Sequence, residues 1–269
     1  MDSRYFDPEG LARVGNMELV ARQVVEGFIT GRHRSPFHGF SAEYLDHRAY
    51  TPGDEISTID WKVLARTDKY FVKLDKLGYG CYLAAALSYL LLRQNDSVGL
   101  TLFDTDIKQY IPPQAHPTQF RRILDSLDAS ASEGDTAVGP VLHRVAERIK
   151  RRGLVIIISD LLDKESEIAD GLQHFRHNRH EVIVFHVLDD AELTFPYDRL
   201  TRFKDMEGAG KVLVNPKSLR KRYLERITAF TENLKNLCFE RKISYHLTKT
   251  SQPYAACLAE YLDKRSRLG

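Results

Sequence analysis

From Lys76 onward, short apolar runs alternate with segments whose apolar residues recur every third or fourth position, and this alternation limits the fold more than any other feature. The run LVIIIS at 154–159 is a continuous apolar strand of the kind buried on both faces of a parallel sheet. VIVFHVL at 182–188, Val98–Phe103 and Ile243–Thr248 read as further strands. Asp104-Thr105-Asp106 is a turn leading into another, Ile107–Ile111, stopped by Pro112-Pro113. Between them lie helical patterns: Tyr79, Leu83, Ala86, Leu87, Leu90 and Leu91; then Phe120, Ile123, Leu124 and Leu127. Val138, Val141, Leu142, Val145 and Ile149 form another, ended by Gly153, and Ile168, Leu172 and Phe175 the next. Leu219, Tyr223, Ile227, Phe230, Leu234 and Leu237 line a long helix capped by Asn215-Pro216, and a last helix covers Tyr254–Arg267. A hairpin-like pair surrounds Glu207–Gly210. Repeated strand-helix units predict an α/β fold with a doubly wound sheet and helices on both faces.

The first 75 residues read differently. Asp7-Pro8 opens a helix with Leu11, Val14, Met17, Ala21, Val24 and Phe28 on one face. GRHRSPFHGF, with Arg32, His33, Arg34 and His38, reads as a solvated basic loop. Glu43–Tyr50 and Lys69–Leu74 read as short strands flanking YTPGDEISTIDWKVLART. There Pro52-Gly53-Asp54 supplies turn chemistry, and Ile56, Ile59 and Val63 recur at helical spacing around Asp60 and the single Trp, Trp61. Two readings stand for this motif: a helical turn whose acids pair with Arg48, Lys62 or Arg66 at a junction, or a catalytic cluster. The chain thus divides into a module over 1–75, made of a helix and a β-hairpin, and an α/β domain over 76–269.

The segment HRAYTPGDEISTIDWKVLARTDKYFVK closely resembles the signature of the bacterial family known as domain of unknown function 58, with Gly53, Asp54, Asp60, Trp61 and Arg66 in that family's order and spacing. The resemblance runs from near Glu18 to the last helix. It implies a von Willebrand factor A-like sheet, mostly parallel with one antiparallel edge strand. It also implies partnership with a MoxR-type AAA+ ATPase and other A-domain proteins.

In an open α/β sheet, ligands bind beyond the carboxyl ends of the strands. That rule selects Asp160, after LVIIIS, and Thr136, in the loop before a helix. Their oxygens suit a hard cation such as Mg²⁺. They are equally suited to capping the helices that follow. By the resemblance, Thr136 and Asp160 match two loops of a metal-ion-dependent adhesion site. That family's remaining metal loop, Asp-x-Ser-x-Ser at the end of a middle strand, belongs between Phe71-Val72-Lys73 and the helix near Lys76. This chain reads FVKLDKLGYGC there, with no such loop. Either a strand and loop are missing, or Tyr70–Leu74 takes the vacant place and presents Asp75 at its end, with Leu77 and Tyr79 where serines are expected. An unfilled slot would leave neighbouring backbone groups unpaired at ~1–3 kcal/mol each. Mg²⁺ binding is therefore expected to be weak or absent.

Among 269 residues, 43% hydrophobic and 28% charged, a formal charge of +2 gives no case for nucleic acid. Cys81, Cys238 and Cys257 lie in apolar helical patterns and read as buried free thiols. No signal peptide is read, and the longest apolar run, Leu83–Leu92, is too short for a membrane span, so a cytoplasmic protein is expected. His174, His177 and His180 recur every third residue, as metal ligands on one helical side or as a basic helix end. Two function classes follow. One is a non-catalytic adaptor for a MoxR-type ATPase, acting in protein maturation or complex assembly; the other is a metal-dependent hydrolase using Asp54, Asp60 and Asp160, for which no nucleophile and base come at recognisable spacing.

Overall fold

The computed structural model describes residues 8–29, 47–49, 71–73, 76–130, 138–197, 201–204, 211–214, 216–254, 256–259 and 261. The fold is mixed α/β, and the chain divides into two compact units. One comprises Met1–Val98, Pro113–Ala129 and Thr250–Gly269; the other comprises Gly99–Pro112 and Ser130–Lys249.

The described residues of the first unit are chiefly helical. Helix α1 spans Pro8–Ile29 and packs on α2, Lys76–Arg93. Its buried stripe is Met17, Ala21 and Val25, so Val25 takes the inward place expected for Val24, as a strict four-residue step requires. Strands β1 (His47–Ala49) and β2 (Phe71–Lys73) pair antiparallel with each other. Against the expectation that Tyr70–Leu74 moves into the larger sheet, β2 pairs, among the described strands, with β1 alone. Helix α3 (Gln119–Asp128) buries Phe120, Ile123, Leu124 and Leu127 as the periodicity predicts. A last helical segment begins at Tyr254, whose ring lies 4.7 Å from that of Tyr79 and 5.9 Å from that of Tyr82. Tyr79 Oη donates to the Gln252 carbonyl at 2.8 Å. All three cysteines are free and buried, as expected.

Strands β3 (Val98–Phe103) and β4 (Ile107–Gln114) form a two-stranded sheet. The Asp104 carboxylate accepts from the Asp106 amide at 3.1 Å and pairs with Lys108 at 2.9 Å, which holds it below the usual carboxylate range. Contrary to expectation, β4 continues through Pro112-Pro113. Successive strand residues aim their backbone groups to opposite sides, so one of the two prolines can face away from the partner strand while the other forgoes a ladder bond.

The second unit holds the parallel sheet. Helix α4 spans Val138–Arg148 and ends before Lys150, so Gly153 lies in the loop beyond it rather than at its close. Strand β5 (Leu154–Ser159) pairs in parallel with β6 (Glu181–Leu188), which pairs in parallel with β9 (Ser244–Lys249). Among the described strands the order β5-β6-β9 puts β5 at an edge, and LVIIIS is half-buried, with only Ile157 fully covered. The strand buried on both faces is instead the central β6, from Val182 to Leu188. Helix α5 (Glu165–His177) follows β5, and a short α6 (Asp190–Thr194) follows β6 behind an Asp189/Glu192 capping box. Strands β7 (Thr201–Lys204) and β8 (Lys211–Val214) pair antiparallel, and their connecting residues, with Glu207–Gly210, lie outside the described ones. Helix α7 spans Pro216–Glu240; its inner stripe holds Leu234 and Cys238, whereas Leu219 near its start is exposed.

One apolar cluster joins α4, α5 and α7 to the sheet: Val141, Leu142, Val145, Ile168, Leu172, Phe175, Val182, Val184, Leu234 and Cys238. Burying such side chains contributes about 1.5–3 kcal/mol each. Helices α4 and α5 meet through glycine. A Cβ on Gly139 would stand 2.5 Å from the Glu167 Cβ, and one on Gly171 would stand 2.7 Å from the Leu142 Cβ. Main chain therefore forms the contact, at a distance that no larger residue permits.

Candidate functional site at the carboxyl end of the parallel sheet

Strand β5 ends at Ser159, and the loop Asp160–Lys164 carries the chain to α5. Four contacts fix this loop. Ser159 Oγ accepts from the Leu161 amide at 3.1 Å, and the Asp163 amide donates to the Leu161 carbonyl at 2.8 Å. Leu161 takes a left-handed backbone, φ 50°, while its side chain is wholly buried in the apolar cluster. That conformation costs an L-residue roughly 1–2 kcal/mol, offset here by the burial of the leucyl group. Asp163 then reaches across the unit: its Oδ2 accepts from the Gly139 amide at 3.1 Å, satisfying a donor in the first turn of α4. Its Oδ1 accepts from the Lys164 amide at 2.7 Å.

Below the loop lies His186 of β6, wholly buried and in register with Ser159. Its Nε2 is 2.8 Å from the Asp160 carbonyl oxygen, which can only accept, so the proton resides on Nε2. Its Nδ1 is 2.7 Å from Tyr245 Oη on β9. Burial, with smaller contributions from Cys238 and Glu232, pushes the Tyr245 phenol well above its ordinary range, so it stays protonated and donates to Nδ1. The Phe230 ring of α7 closes edge-on at 5.8 Å. The loop and strand β9 are thereby tied to one imidazole through its two nitrogens, with α7 packed against the ring.

Of the two acids and hydroxyls that sequence places at this rim, Asp160 is described and is half-exposed, its backbone carbonyl held by His186. The capping alternative for Asp160 is overturned: the N-cap of α5 is Lys164, with no side-chain cap, and Asp163 performs the capping, for α4. Thr136 lies outside the described residues, as do Asp75 and the motif residues Gly53, Asp54, Asp60, Trp61 and Arg66, together with the loop of Arg32, His33, Arg34 and His38. Sequence reasoning missed Asp163, His186 and Tyr245. The polar His and Tyr inside otherwise apolar strands, VIVFHVL and ISYHL, were the available signal.

The histidine repeat also resolves. His180 lies beyond the end of α5 and is buried, its Nδ1 accepting from the Gly153 amide at 3.2 Å, so it shares no helical side with His174. His174 instead faces His143 of α4. Among the described residues no three metal-ligating side chains converge, and no helix is long and apolar enough to cross a membrane.

A family model with the description "Protein of unknown function DUF58" matches residues 46–77 and 74–233. The two matched pieces overlap at 74–77. An uncharacterized protein of Mycobacterium tuberculosis is 27% identical over 223 residues, covering 71% of this chain and 68% of that protein. A Mycobacterium bovis protein, also named uncharacterized, matches to the same extent. The 223 aligned positions exceed the residues in 71% of this chain, so the alignment runs across gaps in it. No solved structure matches. With the family match covering most of its length, this chain belongs to the family of proteins of unknown function DUF58.

Proposed function

We propose that this protein is a non-catalytic interaction adaptor that works in the cytoplasm with a MoxR-type AAA+ ATPase, in protein maturation or complex assembly, through the carboxyl-end rim of its parallel sheet. The observation that supports this reading best is the fixed backbone of the Asp160 loop. A buried imidazole, an aspartate and a left-handed leucine hold the loop still while Asp160 itself is half-exposed. A loop held this way loses little conformational entropy when a partner docks, which is how preorganisation raises affinity. Thr136 and Asp160 then form what remains of a metal-ion-dependent adhesion site. Mg²⁺ is held weakly there, because no Asp-x-Ser-x-Ser stands between Phe71-Val72-Lys73 and the helix at Lys76. Gly53, Asp54, Asp60, Trp61 and Arg66 prop the docking face or contact the ATPase.

The test is co-elution of the full chain with a MoxR-type ATPase from the same genome, with Asp160→Ala and Asp60→Ala compared at unchanged melting temperature. An adaptor loses association in these variants; a hydrolase keeps its partner and loses turnover. Failure of the unaltered chain to associate would remove the proposal. Micromolar, EDTA-reversible Mg²⁺ binding by calorimetry would remove the weak-metal part of it.

A further inference from the structure

Away from the sheet rim, α4 and α5 present a second cluster that neither the adaptor reading nor the family match uses. His143 Nδ1 and His174 Nδ1 lie 3.1 Å apart, with ring centroids at 5.3 Å and planes inclined by 48°. Together with Asp170, Gln173 and His177 they line an open cleft of about 400 Å³. We propose that this cleft binds a divalent transition-metal ion of the zinc, nickel or cobalt class, through Nδ1 of His143 and His174 and the carboxylate of Asp170.

Spacing supports this. Two imidazole nitrogens on one ion, each with a bond of about 2.0–2.1 Å, stand roughly 3–3.5 Å apart, so the two Nδ1 atoms are already at ligand separation. The spacing is also held from behind. Main-chain contact at Gly139 and Gly171 sets how closely α4 and α5 approach, and His143 and His174 project from those same helices. Asp170 precedes His174 by four residues and so lies on the same helical side. Being exposed, it can supply its carboxylate by a rotamer change; the two imidazoles are the preformed half of the site. Neither Lys nor Arg is among the side chains lining the cleft, so no fixed positive charge there opposes a cation. Paired imidazoles favour borderline ions over Mg²⁺, which sets this cleft apart from the oxygen-lined rim. The opposing explanation is an N–H···N hydrogen bond between helices and nothing more.

Calorimetric titration of the full chain with Zn²⁺ and with Ni²⁺, in a non-chelating buffer, separates the two. We expect one equivalent to bind in the micromolar range and His143→Gln and His174→Gln each to weaken binding by about tenfold or more. Asp170→Asn is expected to weaken it several-fold. Glutamine keeps a hydrogen-bonding side chain, and thermal unfolding of each variant checks that the fold persists. Cobalt substitution should give visible d–d absorption that the His174 variant loses. Absence of binding below millimolar concentration, or affinity in the His143 and His174 variants equal to that of the unaltered chain, would overturn the proposal. Equal affinity in Asp170→Asn would overturn its third ligand.

Discussion

Two histidines six residues apart, His180 and His186, tie opposite ends of the same sheet. At the carboxyl end His186 donates through Nε2 to the Asp160 carbonyl and accepts at Nδ1 from Tyr245, so both nitrogens are engaged. At the amino end His180 accepts at Nδ1 from the Gly153 amide, while its Nε2 is buried without a partner among the described residues. The first arrangement satisfies every polar atom of the ring; the second leaves one desolvated at a cost of about 1–3 kcal/mol. A buried network completed on one side alone identifies the side whose geometry matters. The carboxyl end is built to hold a loop in one conformation, whereas the amino end only closes a turn.

The largest expected difference comes from removing each imidazole. His186→Ala removes the bonds to the Asp160 carbonyl and the Tyr245 hydroxyl and opens a void beside Phe230, and should cost roughly 3 kcal/mol or more in urea unfolding. His180→Ala removes one bond and also one unsatisfied nitrogen, and should cost about 1–2 kcal/mol. Equal losses would break the comparison. Gly139→Ala comes next. Its Cβ would collide with Glu167 backbone and Cβ atoms, so it should cost about 1–3 kcal/mol and disturb the Asp163 contact at the rim while sparing the Gly153 turn. Hydrogen exchange at the Leu161 and Glu181 amides distinguishes the two ends.

Alkali gives the smallest effect and sharpens the contrast. Burial, slightly opposed by Arg241, raises the Cys238 thiol from 9.0 to about 12, and burial also raises Tyr245. A pKa raised on folding means the folded state holds its proton more tightly. The associated stability is full below the unfolded value and is lost as pH rises through the folded one. Melting temperature should therefore decline from about pH 9 upward, with a shallower decline in Cys238→Ala and in Tyr245→Phe. An unchanged slope in both would show that neither group carries the effect.

The fold class was legible because periodicity is local: β6, α3, α5 and the start of α7 at Pro216 stand where the apolar spacing places them. Burial was less so. LVIIIS reads as a central strand, yet whether a strand is central depends on which neighbours pair with it, and β5 pairs with β6 alone among the described strands. Proline at 112 and 113 reads as a stop, yet β4 runs on to Gln114. At the rim, Asp160 was found by a rule about strand ends, whereas Asp163 caps a helix that begins 25 residues earlier, a long-range contact with no sequence periodicity. His143 escaped notice for the same reason: its counterpart His174 sits on another helix.

The bare main-chain contact between α4 and α5 has a mechanical consequence. Side chains that interlock can exchange rotamers and let two helices slip; glycine backbone resting on Cβ and backbone atoms offers only one seating. The loop entering α5 is bonded through Asp163 to the first turn of α4, and Gly139, in that turn, is itself pressed against Glu167. A push on Asp160 is thus delivered to both helices as to a stiff lever, with almost no play to absorb it.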